Sequence, residues 1–493
     1  MSRELMLEKI VKAQERITRD REQVSSGNMR QRYHFMAETG WINDPNGVIY
    51  YKGKYHFFYQ YNPYHGFWEN MHWGHAVSED MLHWEYLPPA LAPSEEYEDH
   101  LKGGCFSGSA IEHEGKLYLM YTAAANHGKG FVQTQCIAYS EDGIHFEKYE
   151  KNPVLTAPKG VAQDSFRDPK VWRHEGLYYM VCGASKDKKG QALLYRSEDM
   201  LQWSFVNVLA ESRGEWGSMW ECPDFFEIGR RYVLTFSPIG AGERTCVYLV
   251  GDFDYETGRF DYDISGEIDW GCDYYAPQSF LAPDGRRIMV AWSNEWEWMP
   301  FFKDWGPTYR EGWCGFFNIP REVEITETGR LRFIPIRELE TLRKRENGTF
   351  AETLRVCETN MEITAGDGVA FELKFMIDLQ QSDARQLLLM LRCGAERKTV
   401  CTIDLEKGEL TVDREHADGW SEGVSRSLLF LKGKKEMDIH ILSDQSSLEI
   451  FTDQYQTNHS MNIFAGKEQN KIFLKAIGGE AVLKKIEGYG LSC

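Results

Sequence analysis

The sequence predicts an all-β protein: a five-bladed propeller, preceded by a short helix and followed by a second strand-rich region. Two recurring phrases and their spacing carry the prediction. Ser78-Glu79-Asp80-Met81-Leu82-His83-Trp84 returns as Ser140-Glu141-Asp142-Gly143-Ile144-His145-Phe146 and as Ser197-Glu198-Asp199-Met200-Leu201-Gln202-Trp203. Ahead of each comes a glycine leading an aromatic-rich strand, at Gly53-Lys54-Tyr55, Gly115-Lys116-Leu117 and Gly176-Leu177-Tyr178, with looser copies at Gly229 and Gly285. Five copies at a period of about 60 residues, each long enough for four strands, fit blades that close radially; a stacked solenoid is the competing reading. Blades are expected at about 33–95, 104–155, 164–210, 219–265 and 272–335.

The rest of the chain is placed around that repeat. Residues 1–32 form a helical extension in which Met6, Ile10, Ala13 and Ile17 recur at helical spacing, so the helix is expected to pack on the body. The stretch is charged throughout and lacks the apolar run of a signal peptide. The propeller is assigned to 33–336, and Ile336–Arg343 reads as a short helical linker. Residues 345–493 alternate strands and turns, as in Phe371–Ile377 and Leu448–Phe451, and hold no catalytic candidates.

Composition narrows the function. The 493 residues carry 56 basic against 75 acidic side chains, a net charge of −19. That balance argues against nucleic acid or an anionic membrane as partner and suits a neutral small molecule. The longest apolar run, Leu387–Leu391, falls far short of the ~18 residues of a membrane span. Eleven scattered cysteines without a CxxC pair suggest reduced thiols rather than a disulfide framework or a zinc site. A cytoplasmic protein without cofactor or metal is the expectation; oligomeric state is not indicated.

The openings of the repeats hold the chemistry. They read Asn43-Asp44-Pro45, Cys105-Phe106-Ser107-Gly108-Ser109, Phe166-Arg167-Asp168-Pro169, Trp220-Glu221-Cys222-Pro223-Asp224 and Asp273-Tyr274-Tyr275-Ala276-Pro277. The innermost strand of each propeller blade lines a central funnel, so Asp44, Asp168 and Glu221 are expected to meet there. A single acid beside a proline is usually a turn residue; three acids at one phase of a repeat point instead to a site. Paired carboxylates, without a metal-binding histidine constellation or a Ser/His/Asp set, point to glycoside hydrolysis: one carboxylate attacks or stabilises, another donates a proton. Asn43, Gln60, Trp68, Phe106, Ser107 and Arg167 lie near these openings, each with a packing role beside a ligand-contact role.

Trp41-Ile42-Asn43-Asp44-Pro45-Asn46-Gly47, Phe106-Ser107-Gly108-Ser109, Phe166-Arg167-Asp168-Pro169 and Trp220-Glu221-Cys222-Pro223 resemble, in order, the signature boxes of glycoside hydrolase family thirty-two. These are the invertases, sucrose-6-phosphate hydrolases, inulinases and levanases. The resemblance runs from Tyr33 to about Ile336. It implies a retaining hydrolase of β-fructofuranosides working through a fructosyl-enzyme intermediate. By position, Asp44 matches the nucleophile, Glu221 the general acid/base, and Asp168 the residue that holds fructose hydroxyls and stabilises the transition state. Asn43, Gln60, Trp68, Phe106, Ser107 and Arg167 match the fructose pocket. Gly312-Trp313-Cys314-Gly315 followed by Pro320-Arg321-Glu322 resembles the box closing the propeller, although alanine is more usual where Cys314 stands. Thr411-Val412-Asp413-Arg414 resembles the family's C-terminal β-sandwich, whose expected role is to bury a propeller flank.

The chain departs from the family pattern at residues 294–307, a segment unusually rich in aromatics. It either forms the rim beside the leaving-group sugar or packs on the N-terminal helix. Sucrose, sucrose 6-phosphate and short fructo-oligosaccharides all remain open as substrates. The alternatives are an inverting arabinanase- or xylosidase-type enzyme and a non-catalytic sugar-binding propeller.

Overall fold

The structure, a computed structural model, describes residues 2–126, 128–301 and 303–492; Phe302 of the aromatic segment and Cys493 lie outside the described residues. It is a five-bladed propeller followed by a β-sandwich. The propeller strands lie between Gly40 and Pro335 in five antiparallel sheets, each starting from an inner strand: Gly40–Tyr51, Gly104–His113, Phe166–His174, Met219–Ile228 and Tyr275–Leu281.

Both sequence repeats have a local cause. In the first three blades, the glycine phrase is the two-residue turn between the first and second strands. Lys52-Gly53, Glu114-Gly115 and Glu175-Gly176 all have φ between 46° and 86°. Positive φ at both turn residues matches the twist of the flanking strands, and glycine meets it without strain at the second. The Ser-x-Asp phrase closes the turn into the outer strand. Ser78, Ser140 and Ser197 donate to Asp80, Asp142 and Asp199 at 2.9–3.0 Å, and each aspartate then accepts backbone N–H groups two and three residues on. A phrase that recurs because it satisfies the backbone of a recurring turn marks the blade period.

The ring is closed by a segment from within the fifth blade. Trp313–Cys314, the closing box of the sequence, pairs in parallel with Gly40–Trp41 of the first blade. The fifth blade is split: its second strand ends at Trp292 and its third begins at Arg321, so the aromatic segment is an insertion within this blade.

The helix Ser2–Ser25 packs on the body through Met6, Ala13, Ile17 and Val24, and Ile10 stays half-buried. Arg337–Leu342 forms a 3₁₀ turn leading to two sheets that enclose one apolar core, with Phe371, Leu373, Ile439 and Ile441 on one sheet and Leu387, Leu389 and Leu474 on the other. Propeller and sandwich meet through buried charge. Arg321 is fully buried and donates to Asp269 (2.8 Å), Glu449 (2.6 Å) and Ser460 (2.7 Å). His34 sits between Asp444 and Glu449, each at 2.9 Å. Burial opposes its charge, but the two carboxylates outweigh burial and push its pKa up to about 9. Among the described residues, no helix is long and apolar enough to cross a membrane.

Candidate active site

The five inner strands converge on a cavity of about 1260 Å³, and all nine residues singled out in the sequence line it: Asn43, Asp44, Gln60, Trp68, Phe106, Ser107, Arg167, Asp168 and Glu221. Several are sequence neighbours, which a regular strand would send to opposite faces. A bulge resolves the conflict. Every inner strand slips register at this height: between Ile42 and Pro45, Phe106 and Gly108, Arg167 and Lys170, Glu221 and Asp224, and Tyr275 and Gln278. Extra residues in the strand re-aim its side chains, so pairs such as Asn43-Asp44 and Arg167-Asp168 both face the cavity.

The structure corrects the phase of the acids. Asp44 and Asp168 directly precede Pro45 and Pro169, whereas Glu221 stands one residue earlier, at the position of Asn43, Arg167 and Tyr275. Cys222 fills the position equivalent to Asp168, with φ of 46° against 64° for Asp168 and 52° for Ala276 of the fifth blade. Cys222 therefore lies beside both aspartates. Its Sγ is 3.5 Å from Asp44 Oδ2 and 3.6 Å from Asp168 Oδ2, and its N–H donates to Asp168 at 2.9 Å. Burial, with Asp168 and Asp44 nearby, keeps this thiol protonated.

The three acids have different surroundings. Asp44 takes a 2.5 Å hydrogen bond from Ser107 on Oδ2, and its Oδ1 is buried with no hydrogen-bond partner. Burial, then the charge of Glu221, push the Asp44 pKa up to about 6 against the donors Ser107, Asn43 and Cys222. The backbone N–H of Asp168 donates to Thr122 Oγ1 at 2.9 Å, and that hydroxyl donates on to Gln135. Burial raises the Asp168 pKa and Arg167 opposes it. Glu221 accepts from Arg167 Nε at 2.9 Å and Nη2 at 2.8 Å on one oxygen, and from the Tyr275 hydroxyl at 2.6 Å on the other. Burial works against the charge of Arg167, and Glu221 and Asp168 more than restore it.

The remaining candidates form walls. Trp41 donates to the Asn43 side-chain oxygen at 2.8 Å, and Gln60 donates to Cys105 O at 2.8 Å. Trp68 meets Phe106 edge-on at 5.7 Å. Sequence reasoning missed Tyr275, although its place before Ala276-Pro277 repeats the pattern of Arg167 and Glu221. Gln133 was also missed; it accepts from Phe166 N at 3.0 Å and from Arg167 at 3.2 Å, and nothing in its sequence surroundings marks it. Glu295, Trp296, Trp298 and Phe301 of the aromatic insertion line the cavity, as does Arg414 of the sandwich. The insertion leans on the sandwich through Trp305, whose ring meets Trp420 at 5.9 Å and Phe464 at 6.1 Å. The sandwich thus contributes to the cavity wall besides covering a flank.

Comparison with known proteins agrees with this arrangement. The model of the glycosyl hydrolases family 32 N-terminal domain matches residues 34–335, and that of the family 32 C-terminal domain matches 338–489. A sucrose-6-phosphate hydrolase of Zymomonas mobilis is 36% identical over 98% of this chain and 96% of its own length. A raffinose invertase of Escherichia coli is 36% identical over 92% of this chain and 93% of its own. Among solved structures, a mutant Bombyx mori GH32 β-fructofuranosidase in complex with sucrose superposes with a TM-score of 0.81 at 33% identity, covering 97% of this chain and 98% of that one. Neither an arabinanase-type enzyme nor a non-catalytic propeller is favoured by these likenesses. Two matched domain models, relatives alike over nearly the whole length and a shared fold place the chain in glycoside hydrolase family 32, as a β-fructofuranosidase.

Proposed function

We propose that this β-fructofuranosidase works with retention, with Asp44 as nucleophile, Glu221 as general acid/base and Asp168 holding fructose hydroxyls and stabilising the transition state. The observation that carries the reading is the unequal dressing of the two end carboxylates. Asp44 keeps one buried oxygen, Oδ1, free of hydrogen bonds and so open to attack the anomeric carbon. Glu221 has both oxygens engaged by groups that can trade places with a proton and a leaving oxygen, Arg167 and Tyr275. Attack forms a fructosyl ester on Asp44 as the glycosidic bond breaks and its oxygen takes the proton of Glu221. Water then hydrolyses the ester with Glu221 as base. Asn43, Gln60, Trp68, Phe106, Ser107 and Arg167 form the fructose pocket in this reading.

The substrates in this reading are small fructosides, namely sucrose, sucrose 6-phosphate and short fructo-oligosaccharides, with phosphate not obligatory. Lys303 and Arg310, in and just after the aromatic segment, are not among the lining residues, and Arg310 lies over the Trp420 ring at 5.1 Å; Lys102, Arg244 and Arg426 are the cations on the outer wall. A cytoplasmic location goes with this reading: the ten described cysteines are all free, as suits a reducing compartment. Hydrolysis of sucrose followed by NMR from mixing tests the mechanism. The β-anomer of fructofuranose should appear first; the α-anomer first would overturn it. A kcat/KM on long inulin above that on sucrose or kestose would overturn the substrate reading.

A further inference from the structure

We propose that Arg414 of the sandwich is a positioning residue for the leaving-group side of the cavity, acting through Asp273 and Trp298. The inference rests on the assignment of Glu221 as the proton donor. A donor stands at the glycosidic oxygen, so the wall beyond it faces the leaving group. Tyr275, bonded to Glu221, has its ring 6.3 Å from Trp296, and the wall continues through Trp298 to Phe301. The leaving group therefore meets the aromatic insertion.

Trp298 is gripped there from two directions by one ion pair that spans both halves of the molecule. Its indole N–H donates to Asp273 Oδ1 at 2.9 Å. The Arg414 guanidinium lies 4.5 Å from the centre of its ring and also donates to Asp273 Oδ2. Arg414 is in turn fixed by Glu422 O and Asn462 O, each at 2.8 Å, and its side chain is fully buried. A planar guanidinium can stack on a ring and bridge a carboxylate together; an ammonium cannot do both. The ring is thus held before the substrate arrives, which removes an ordering cost from binding.

A purely structural role predicts something different. Arg321 already joins the two halves through Asp269 and Glu449 and does not line the cavity. It serves as the control. The test measures kcat and KM on sucrose and on methyl β-D-fructofuranoside, whose methanol leaving group is too small to use the aromatic wall, for wild type, Arg414→Lys, Trp298→Phe and Arg321→Lys. Thermal midpoints are recorded alongside. Arg414→Lys and Trp298→Phe should raise KM on sucrose about tenfold with kcat nearly kept, and lose at least fivefold less kcat/KM on the methyl fructoside. Arg321→Lys should lower the midpoint without changing the ratio between substrates. Should Arg414→Lys fail to fold, Trp298→Phe decides, since it removes only the indole link and keeps a ring. Equal losses on both substrates, or an unchanged sucrose KM in Trp298→Phe, would overturn the proposal. A wild-type protein that cleaved neither substrate would overturn the fructosidase reading itself and this inference with it.

Discussion

Asp44→Asn should make the protein more stable while abolishing its activity, and the gain should depend on pH in a defined window. Asp44 titrates at about 6 in the fold against an ordinary 3.8. At ~1.4 kcal/mol per tenfold change, the buried charge costs the folded state about 3 kcal/mol at neutral pH. The sign follows from the raised folded value. Below about pH 4 the carboxyl is protonated in both states and there is no penalty. The penalty grows between 4 and 6 and stays constant above that range. Asparagine keeps the shape and can still accept from Ser107, so it removes the penalty without opening a cavity. With ~2.1 cal/mol/K of unfolding entropy per residue, 3 kcal/mol corresponds to about 3 °C if all 493 residues unfold together, or about 5 °C if the propeller unfolds alone. Scanning fluorimetry of both proteins from pH 4 to 8, with kcat on sucrose at each pH, tests this. The midpoints should coincide near pH 4 and separate by a few degrees above pH 6, with kcat lower by several orders of magnitude. A gap that is constant with pH, or a less stable variant, would refute the argument that Asp44 is held ionised at a cost to the fold.

Other expectations concern the same site and the domain contact. Glu221→Gln should lose ~10²–10⁴-fold on sucrose, and clearly less on an aryl β-fructofuranoside whose leaving group needs no protonation; equal losses would remove Glu221 from the acid role. Ser107→Ala removes the 2.5 Å donor that holds Asp44 down, so the acid limb of the kcat/KM profile, expected near pH 6 in wild type, should move up by about one pH unit. An unmoved limb would mean that Asp44 does not set it. His34 carries its charge up to about pH 9 in the fold against 6.5 ordinarily, and so contributes about 3 kcal/mol below pH 6.5 that is lost as pH rises through 9. His34→Gln should therefore have a lower midpoint than wild type at pH 6, with the gap closing by about pH 9.5; a gap that widens with pH would contradict the paired, charged histidine.

Much of the molecule was written in local sequence. The blade period is legible because Ser-x-Asp and the glycine turns satisfy backbone groups within a few residues, so the same solution recurs wherever the same turn does. The N-terminal helix is legible for a similar reason, since one stripe of Met6, Ala13 and Ile17 is enough to bury it. Seven of the nine candidate residues were readable at the openings of those repeats, and Gln60 and Trp68 through the resemblance to the family's boxes. What tertiary structure alone decided is everything set by distance in space rather than in sequence. The bulges that turn neighbours such as Arg167 and Asp168 into one cavity depend on pairing with the next strand, and they bring the Cys222 thiol against both aspartates. Gln133 and Thr122 brace the third blade from the second, a contact no spacing announces. The aromatic insertion could not be assigned to rim or helix from composition, because an indole serves either surface equally well. Its place was fixed by an arginine more than a hundred residues later, since a buried guanidinium must find a carboxylate, and Asp273, within its reach, already held Trp298.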